Sequence, residues 1–328
     1  MAVKVTIIGL GQIGASIGLA MGRHPEVFER IGYDEDSKAA RQAVKMGAVD
    51  KAVSLLRDPI ETSDVVLFAL PADRVHALMT ELLPLMHPGA LLLDTSPNKT
   101  QAAAWAKELL PEGCSYVGLN PSVNPLYLES GETGIEGARA DLFKNGTIAI
   151  SSPRRTPSRA LEFAANLTRF LGASALFADM LEADSMTTAT QLLPQLLGAA
   201  LLQVTAEQPN WRDMGRMAGR AYADVSGVMQ PPGAAEQLAA GIMYNREHAQ
   251  RVLNNAIAVL ITLRDDIAAE DLETLTTRLR QMQESREQWL QDRRSGTDKS
   301  LSAAPEYDDR SLAAKLFGGW IAPKQGER

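Results

Sequence analysis

Three glycines, Gly9, Gly11 and Gly14, follow the apolar run Val3 to Ile8 and lead into the helix-like stretch ASIGLAMGR. Between a strand and a helix this spacing has a mechanical meaning. The first glycine permits a tight turn, the second lets a pyrophosphate approach the backbone, and the third lets helix and strand pack closely. The amides of Gln12, Ile13 and Gly14 then open the helix, where unpaired N–H groups and the helix dipole favour an anion. Asp34 closes a second apolar run and is placed to accept hydrogen bonds from an adenosine ribose. A carboxylate there favours NAD over NADP, whose 2′-phosphate would meet a like charge, although Lys38 and Arg41 stand close by in sequence. A helix cap before Ser37 is the competing reading of Asp34. Ala69, Leu70 and Pro71 end another apolar run and are candidates to line the cofactor; a strand stopping at a proline turn explains the same letters.

A second group of polar residues, Ser96, Asn98, Lys99, Asn120, Ser122 and Asn124, falls at the carboxyl ends of two later strand candidates. Ligands of open α/β sheets bind outside those ends. Lys99, Asn120 and Ser96 are the candidates for chemistry, and Asn98, Ser122 and Asn124 for substrate contact. Lys99 would bind a carboxylate or, with a pKa lowered by burial, exchange a proton; a surface lysine at a helix start is the plain alternative. Asn120 and Asn124 flank prolines, so turn formation competes with ligand contact. The four histidines, His24, His76, His87 and His248, read as surface or packing residues.

The elements that must position these groups alternate. Strand candidates are Val3 to Ile8, Ile31 to Asp34, Asp64 to Leu70, Ala90 to Asp94, Ser115 to Leu119 and Thr147 to Ser151. Helices are expected from Ile13, Ser37, Ala72, Thr100 and Pro157. This is the βα pattern of a doubly wound parallel sheet, a Rossmann domain. Past Asp179 the texture changes to long stretches rich in Leu, Ala, Met and Gln, Leu181 to Ala206 and Ala234 to Ala268, with Pro194 predicting a kink. The expected organisation is a dinucleotide-binding domain over 1–179, an all-helical substrate and dimerisation domain over 180–294, and a tail over 295–328 whose apolar segment Leu312 to Ile321 could dock on a neighbouring surface. The helical half carries more apolar surface than one small bundle needs, which points to a homodimer.

Composition narrows the partners. Lys and Arg number 33 against 40 Asp and Glu, a formal charge of −7, which leaves no basic footprint for nucleic acid or an anionic membrane. A single cysteine, Cys114, rules out an intrachain disulfide and a cysteine-based zinc site, and no metal is expected. The opening MAVKVTIIGLG runs straight into the glycine loop, so neither a signal peptide nor a membrane span is read there. A small-molecule substrate and a cytoplasmic location follow as expectations.

With the glycine loop, an ordered series of segments resembles the prephenate/arogenate dehydrogenase family: YDEDSKAARQAVKMGAVD, DVVLFALP, LLLDTSPNK, YVGLNPSVNP, TGIEGARADLF and EADSMTTATQLLPQLLGAALL. The resemblance implies an NAD-dependent oxidoreductase that dimerises through its helical region and works in tyrosine biosynthesis. It also implies a histidine before a proline that takes the substrate hydroxyl proton, a serine that positions it, and an arginine from the helical domain that holds a carboxylate. At the histidine position this chain has Asn120, before Pro121. At the serine position it has Pro97 beside Ser96, and the segment ADVSGVM over 223–229 has no arginine. An asparagine amide cannot take up a proton near neutral pH. The reading that results is hydride transfer between a nicotinamide and a small carboxylate-bearing substrate, with little prephenate dehydrogenase activity. Its rivals are a true but atypical prephenate or arogenate dehydrogenase, and a catalytically silent dinucleotide-binding sensor.

Overall fold

The computed structural model describes residues 2–295. Among these, short apolar runs form one eight-stranded sheet in the order β3-β2-β1-β4-β5-β6-β7-β8. The strands are β1 (Val3–Ile8), β2 (Phe28–Tyr33), β3 (Lys51–Ala52), β4 (Val65–Phe68), β5 (Leu91–Asp94), β6 (Ser115–Pro121), β7 (Thr147–Ser151) and β8 (Ser174–Phe177). From β3 across to β6 every pairing is parallel. The expected parallel sheet needs one correction: β7 runs antiparallel to β6, with Asn120 opposite Ala149, and β8 then pairs parallel to β7. Two strands escaped the sequence reading. β3 has only two residues, too few for a period, and β8 is a half-exposed edge strand.

The crossovers supply α1 (Gln12–Met21), α2 (Ser37–Lys45), α3 (Arg57–Thr62), α4 (Ala72–Leu82), α5 (Lys99–Leu109) and α6 (Ser158–Phe170). Successive side chains of a strand point to opposite faces, and the core divides accordingly. Ile7, Leu67, Leu91 and Leu93 pack on one face with Ile17 and Phe163; Ile8, Val66, Phe68 and Leu92 pack on the other with Val75 and Met79. Burial on both faces is why β4 and β5 read as unbroken apolar runs with no alternation.

The helical half contains α7 (Met180–Thr187), α8 (Leu193–Ala206), α9 (Trp211–Met217), α10 (Arg220–Ser226), α11 (Ala234–Tyr244), α12 (Arg246–Ala268) and α13 (Leu272–Ser295). The stretch expected as one helix over 181–206 is interrupted by a π-turn, Thr188–Leu192, just ahead of Pro194. Proline donates no backbone hydrogen bond, and the wider turn absorbs the misfit. The stretch over 234–268 breaks at Asn245, whose backbone leaves the helical region. By contacts the chain divides into Asp184–Gln291 as one compact unit and Met1–Ala183 with the portion from Asp292 as the other. Within the first of these, α12 leaves Leu253, Ile257, Val259, Leu260 and Ile261 exposed, while Leu238 and Ala249 are buried. The expected docking segment, Leu312 to Ile321, lies outside the described residues.

Candidate cofactor loop and crevice

The glycine loop is built by close approaches. Gly9 has φ +92°, and a Cβ there would fall 2.3 Å from the Ala69 carbonyl oxygen. A Cβ on Gly14 would fall 1.9 Å from the Gly9 carbonyl oxygen. Protein packing thus explains both residues. Gly11 is different: a Cβ built there meets nothing within 4 Å, so the fold itself makes no demand for glycine. Gly11 is also the N-cap of α1, with no side chain capping it and no acidic residue in the first turn. The amide end of α1, with Ile13 and Gly14 in its first turn, is accordingly open to an anion.

Asp34, just past β2, is tied to this loop. Its Oδ2 accepts from the Leu10 amide at 2.7 Å and its Oδ1 from the Asp36 amide at 2.8 Å. The helix-cap alternative belongs to Asp36, whose Oδ1 accepts from the Lys38 amide at 2.8 Å. Ala69 continues β4 beside β1, donating its amide to Ile8 at 2.8 Å, and Leu70 reaches the same loop. Pro71 is the N-cap of α4. The Gln12 side chain turns to the segment that includes TGIEGAR, donating to the carbonyls of Glu132 and Gly137 at 3.2 Å each. Ser16 Oγ accepts from the Arg139 amide at 2.9 Å, so residues 132–139 are fastened along α1.

At the end of β5, Lys99 and Ser96 gather around one buried carboxylate. Asp94 is fully buried. It accepts from the Ser96 amide (2.9 Å), Ser96 Oγ (2.8 Å), Tyr116 Oη (3.0 Å) and Lys99 Nζ (3.3 Å). Lys99, also fully buried, donates further to the carbonyls of Asp94 (2.6 Å) and Ser96 (2.5 Å). These bonds spend the three donors of an ammonium inside the turn between β5 and α5. Lys99 and Ser96 hold that turn. Asn98 is the buried N-cap position of α5.

Asn124 is likewise a turn residue: its Oδ1 accepts from the Leu126 amide at 3.1 Å and its Nδ2 donates to the Asp141 carbonyl at 3.1 Å. Asn120 is half-buried in β6 where the strand pairs with β7. Ser122 Oγ accepts from the Thr147 amide at 2.8 Å and from Arg293 at 3.2 Å. Arg293 Nη2 also donates to the Val123 carbonyl at 2.6 Å. Burial lowers the Arg293 pKa from its ordinary value. The sequence reading missed this residue because nothing in a charged helical stretch marks a contact with a loop some 170 positions earlier in the chain.

Three of the four histidines have neighbours that account for them. His24 is buried edge-on against Phe170, His76 lies on Trp105, and His87 approaches the Pro88 carbonyl. Among the described residues no group of three or more His, Cys, Asp and Glu could hold a metal ion, and no helix is long and apolar enough to cross a membrane.

Residues 17–176 match the family model described as prephenate dehydrogenase, nucleotide-binding domain. That match begins inside α1, so the glycine loop stands on its own geometry. A prephenate dehydrogenase of Bacillus subtilis (strain 168) is 24% identical over 278 residues, covering 83% of this chain and 72% of the relative. One from Lactococcus lactis subsp. cremoris (strain MG1363) is 27% identical over 202 residues, covering 61% of this chain; the chain spans about half of that relative's length, 53%. The crystal structure of prephenate dehydrogenase from A. aeolicus in complex with hydroxyphenyl propionate and NAD+ superposes with a TM-score of 0.75 at 18% identity, covering 88% of this chain and 98% of the other.

Proposed function

We propose that this chain, whose residues 17–176 match the prephenate dehydrogenase nucleotide-binding model, is an NAD-dependent dehydrogenase acting on a small carboxylate-bearing substrate. The observation that carries the reading is the open space at Gly11: two glycines of the loop answer to packing, and the third answers to a ligand's approach. Gly11, Ile13 and Gly14 at the start of α1 would hold the pyrophosphate, and Asp34 the adenosine ribose. A bound nicotinamide supplies the hydride acceptor or donor.

The chain's own contribution at the reacting end differs from the family pattern. Asn120 can donate and accept hydrogen bonds but cannot store the hydroxyl proton, so it orients a substrate and leaves proton removal to water. The buried Asp94, Ser96, Lys99 and Tyr116 cluster holds the turn beneath it. The family's usual reaction should therefore be slow here, and a substrate change is the leading account of the altered site. The exposed apolar positions on α12 support a homodimer, and the acidic composition with an intact nucleotide loop supports a cytoplasmic enzyme.

Calorimetric titration of NAD+ into wild type and Gly11→Val tests the reading. Wild type should bind, and the folded variant should not, since its side chain would stand where the pyrophosphate must lie. Equal binding in both would overturn the loop assignment.

A further inference from the structure

The glycine loop is held from two sides by side chains. On the β2 side, Asp34 Oδ2 accepts from the Leu10 amide at 2.7 Å. On the other, Gln12 Nε2 donates to the carbonyls of Glu132 and Gly137 at 3.2 Å each, which spends both of its hydrogens. Gly11 lies between these anchors, and a Cβ built on it meets nothing within 4 Å, so the space beside it is open. The segment that takes up Gln12 is itself braced. Ile135 and Ala138 are buried in the same core cluster against which Ile13 packs. Arg139 donates from Nη1 to the carbonyls of Glu136 (2.7 Å) and Ala138 (2.8 Å), and its Nη2 pairs with Glu132. The Arg139 amide reaches Ser16 Oγ at 2.9 Å, and that hydroxyl donates in turn to the Gln12 carbonyl at 2.5 Å. Gly137 completes the fit: a Cβ there would fall 2.8 Å from Gln12 Nε2 and 2.8 Å from the Glu132 carbonyl oxygen.

A loop of this kind binds pyrophosphate through backbone N–H groups, and affinity is gained when those groups already point the right way before the ligand arrives. With open space beside Gly11, that direction must be set by the anchors on either side. Resting on the NAD-binding reading above, we propose that Gln12 is a positioning residue. Its side-chain amide latches residues 132–139 to the loop and so sets the loop's backbone amides for the pyrophosphate. Coupling between a latch and a ligand is reciprocal. If the latched segment favours NAD+ by some factor, bound NAD+ favours the latched segment by the same factor. Both latch bonds join neutral groups, whose modest net strength puts that factor at about tenfold.

The test combines calorimetry with hydrogen exchange, with NAD+ as the probe. Gln12→Met keeps the length of the side chain and removes its donors, so it should bind NAD+ about tenfold more weakly than wild type. Gly137→Ala, which displaces the latch from outside the loop, should weaken binding in the same direction. Saturating NAD+ should slow exchange of the amides of residues 132–139 about tenfold in wild type and leave it unchanged in Gln12→Met. Direct contact between cofactor and segment would instead protect these amides in both proteins, and that result would overturn the proposal. So would a Gln12→Met protein that binds NAD+ as wild type does, with only its melting temperature lowered, since Gln12 would then serve stability alone. A wild type that binds no NAD+ is a separate failure, visible before any variant is compared: it removes the cofactor reading, and the latch with it.

Discussion

Lys99 lies across the backbone of Gly118: a Cβ at residue 118 would meet Lys99 Cδ at 2.6 Å and Ser151 Oγ at 3.0 Å. The glycine in β6 is therefore the complement of a lysine in α5, and the ammonium beyond it reaches the buried Asp94. Gly118→Ala should cost about 1–3 kcal/mol through overpacking, because a fully enclosed stem has nowhere to move. Lys99→Ala should cost about 3–5 kcal/mol, since it strands a buried carboxylate. Urea denaturation of both variants checks this. A Lys99→Ala protein of wild-type stability would return Lys99 to the list of residues available for chemistry.

The carboxylate of Asp34 should set cofactor choice. NAD(H) is expected to bind more tightly than NADP(H), and Asp34→Asn to narrow the gap, since the amide oxygen can still accept from Leu10 while the charge that repels a 2′-phosphate is gone. Parallel titrations of both cofactors measure it. Equal affinities in wild type would remove Asp34 from the ribose.

Assays with prephenate and with arogenate should give little or no cofactor reduction by wild type. A positioned base contributes ~10²–10⁴-fold to such a step, and Asn120 is not one. Activity gained by Asn120→His would mean that the pocket still fits the family's substrate and lost only its base. Brisk wild-type turnover would require a base that the described residues do not present at β6.

Light scattering at micromolar concentration should report about twice the chain mass, reflecting pairing through the face of α12 that carries Ile257, Leu260 and Ile261. Replacing Leu260 by Glu should then shift the mass to that of one chain. A monomeric wild type would mean that this face is covered otherwise.

The Cys114 thiol should alkylate slowly. Burial is the largest influence on it and pushes its pKa up, against smaller opposing bonds from the backbone of Ala90 and Gly89, and its Sγ lies 3.1 Å from the His87 carbonyl. Because the folded pKa is raised, the neutral thiol's contribution to stability is present below the ordinary thiol range and is lost as pH rises through the folded value. Iodoacetamide labelling across mildly alkaline pH, compared with free cysteine, reads the shift directly. Labelling as fast as free cysteine would contradict it.

What the sequence by itself determined was whatever local spacing controls. The glycine loop, Asp34, the apolar strands at the centre of the sheet and the helical second half are each legible because turn geometry, strand period and helix length are properties of adjacent residues. The same letters marked Ser96, Asn98, Lys99 and Asn124 as crevice residues, since each follows a strand. Tertiary structure decided what each does there: Lys99 and Ser96 close on Asp94, Asn124 on Asp141 and Leu126. The antiparallel turn of β7 and the Gly118 that accommodates a lysine needed the packed chain as well. Arg293 was the largest omission, because its partners Ser122 and Val123 are brought to it only by folding, and no local pattern records a contact between residues so far apart in the chain.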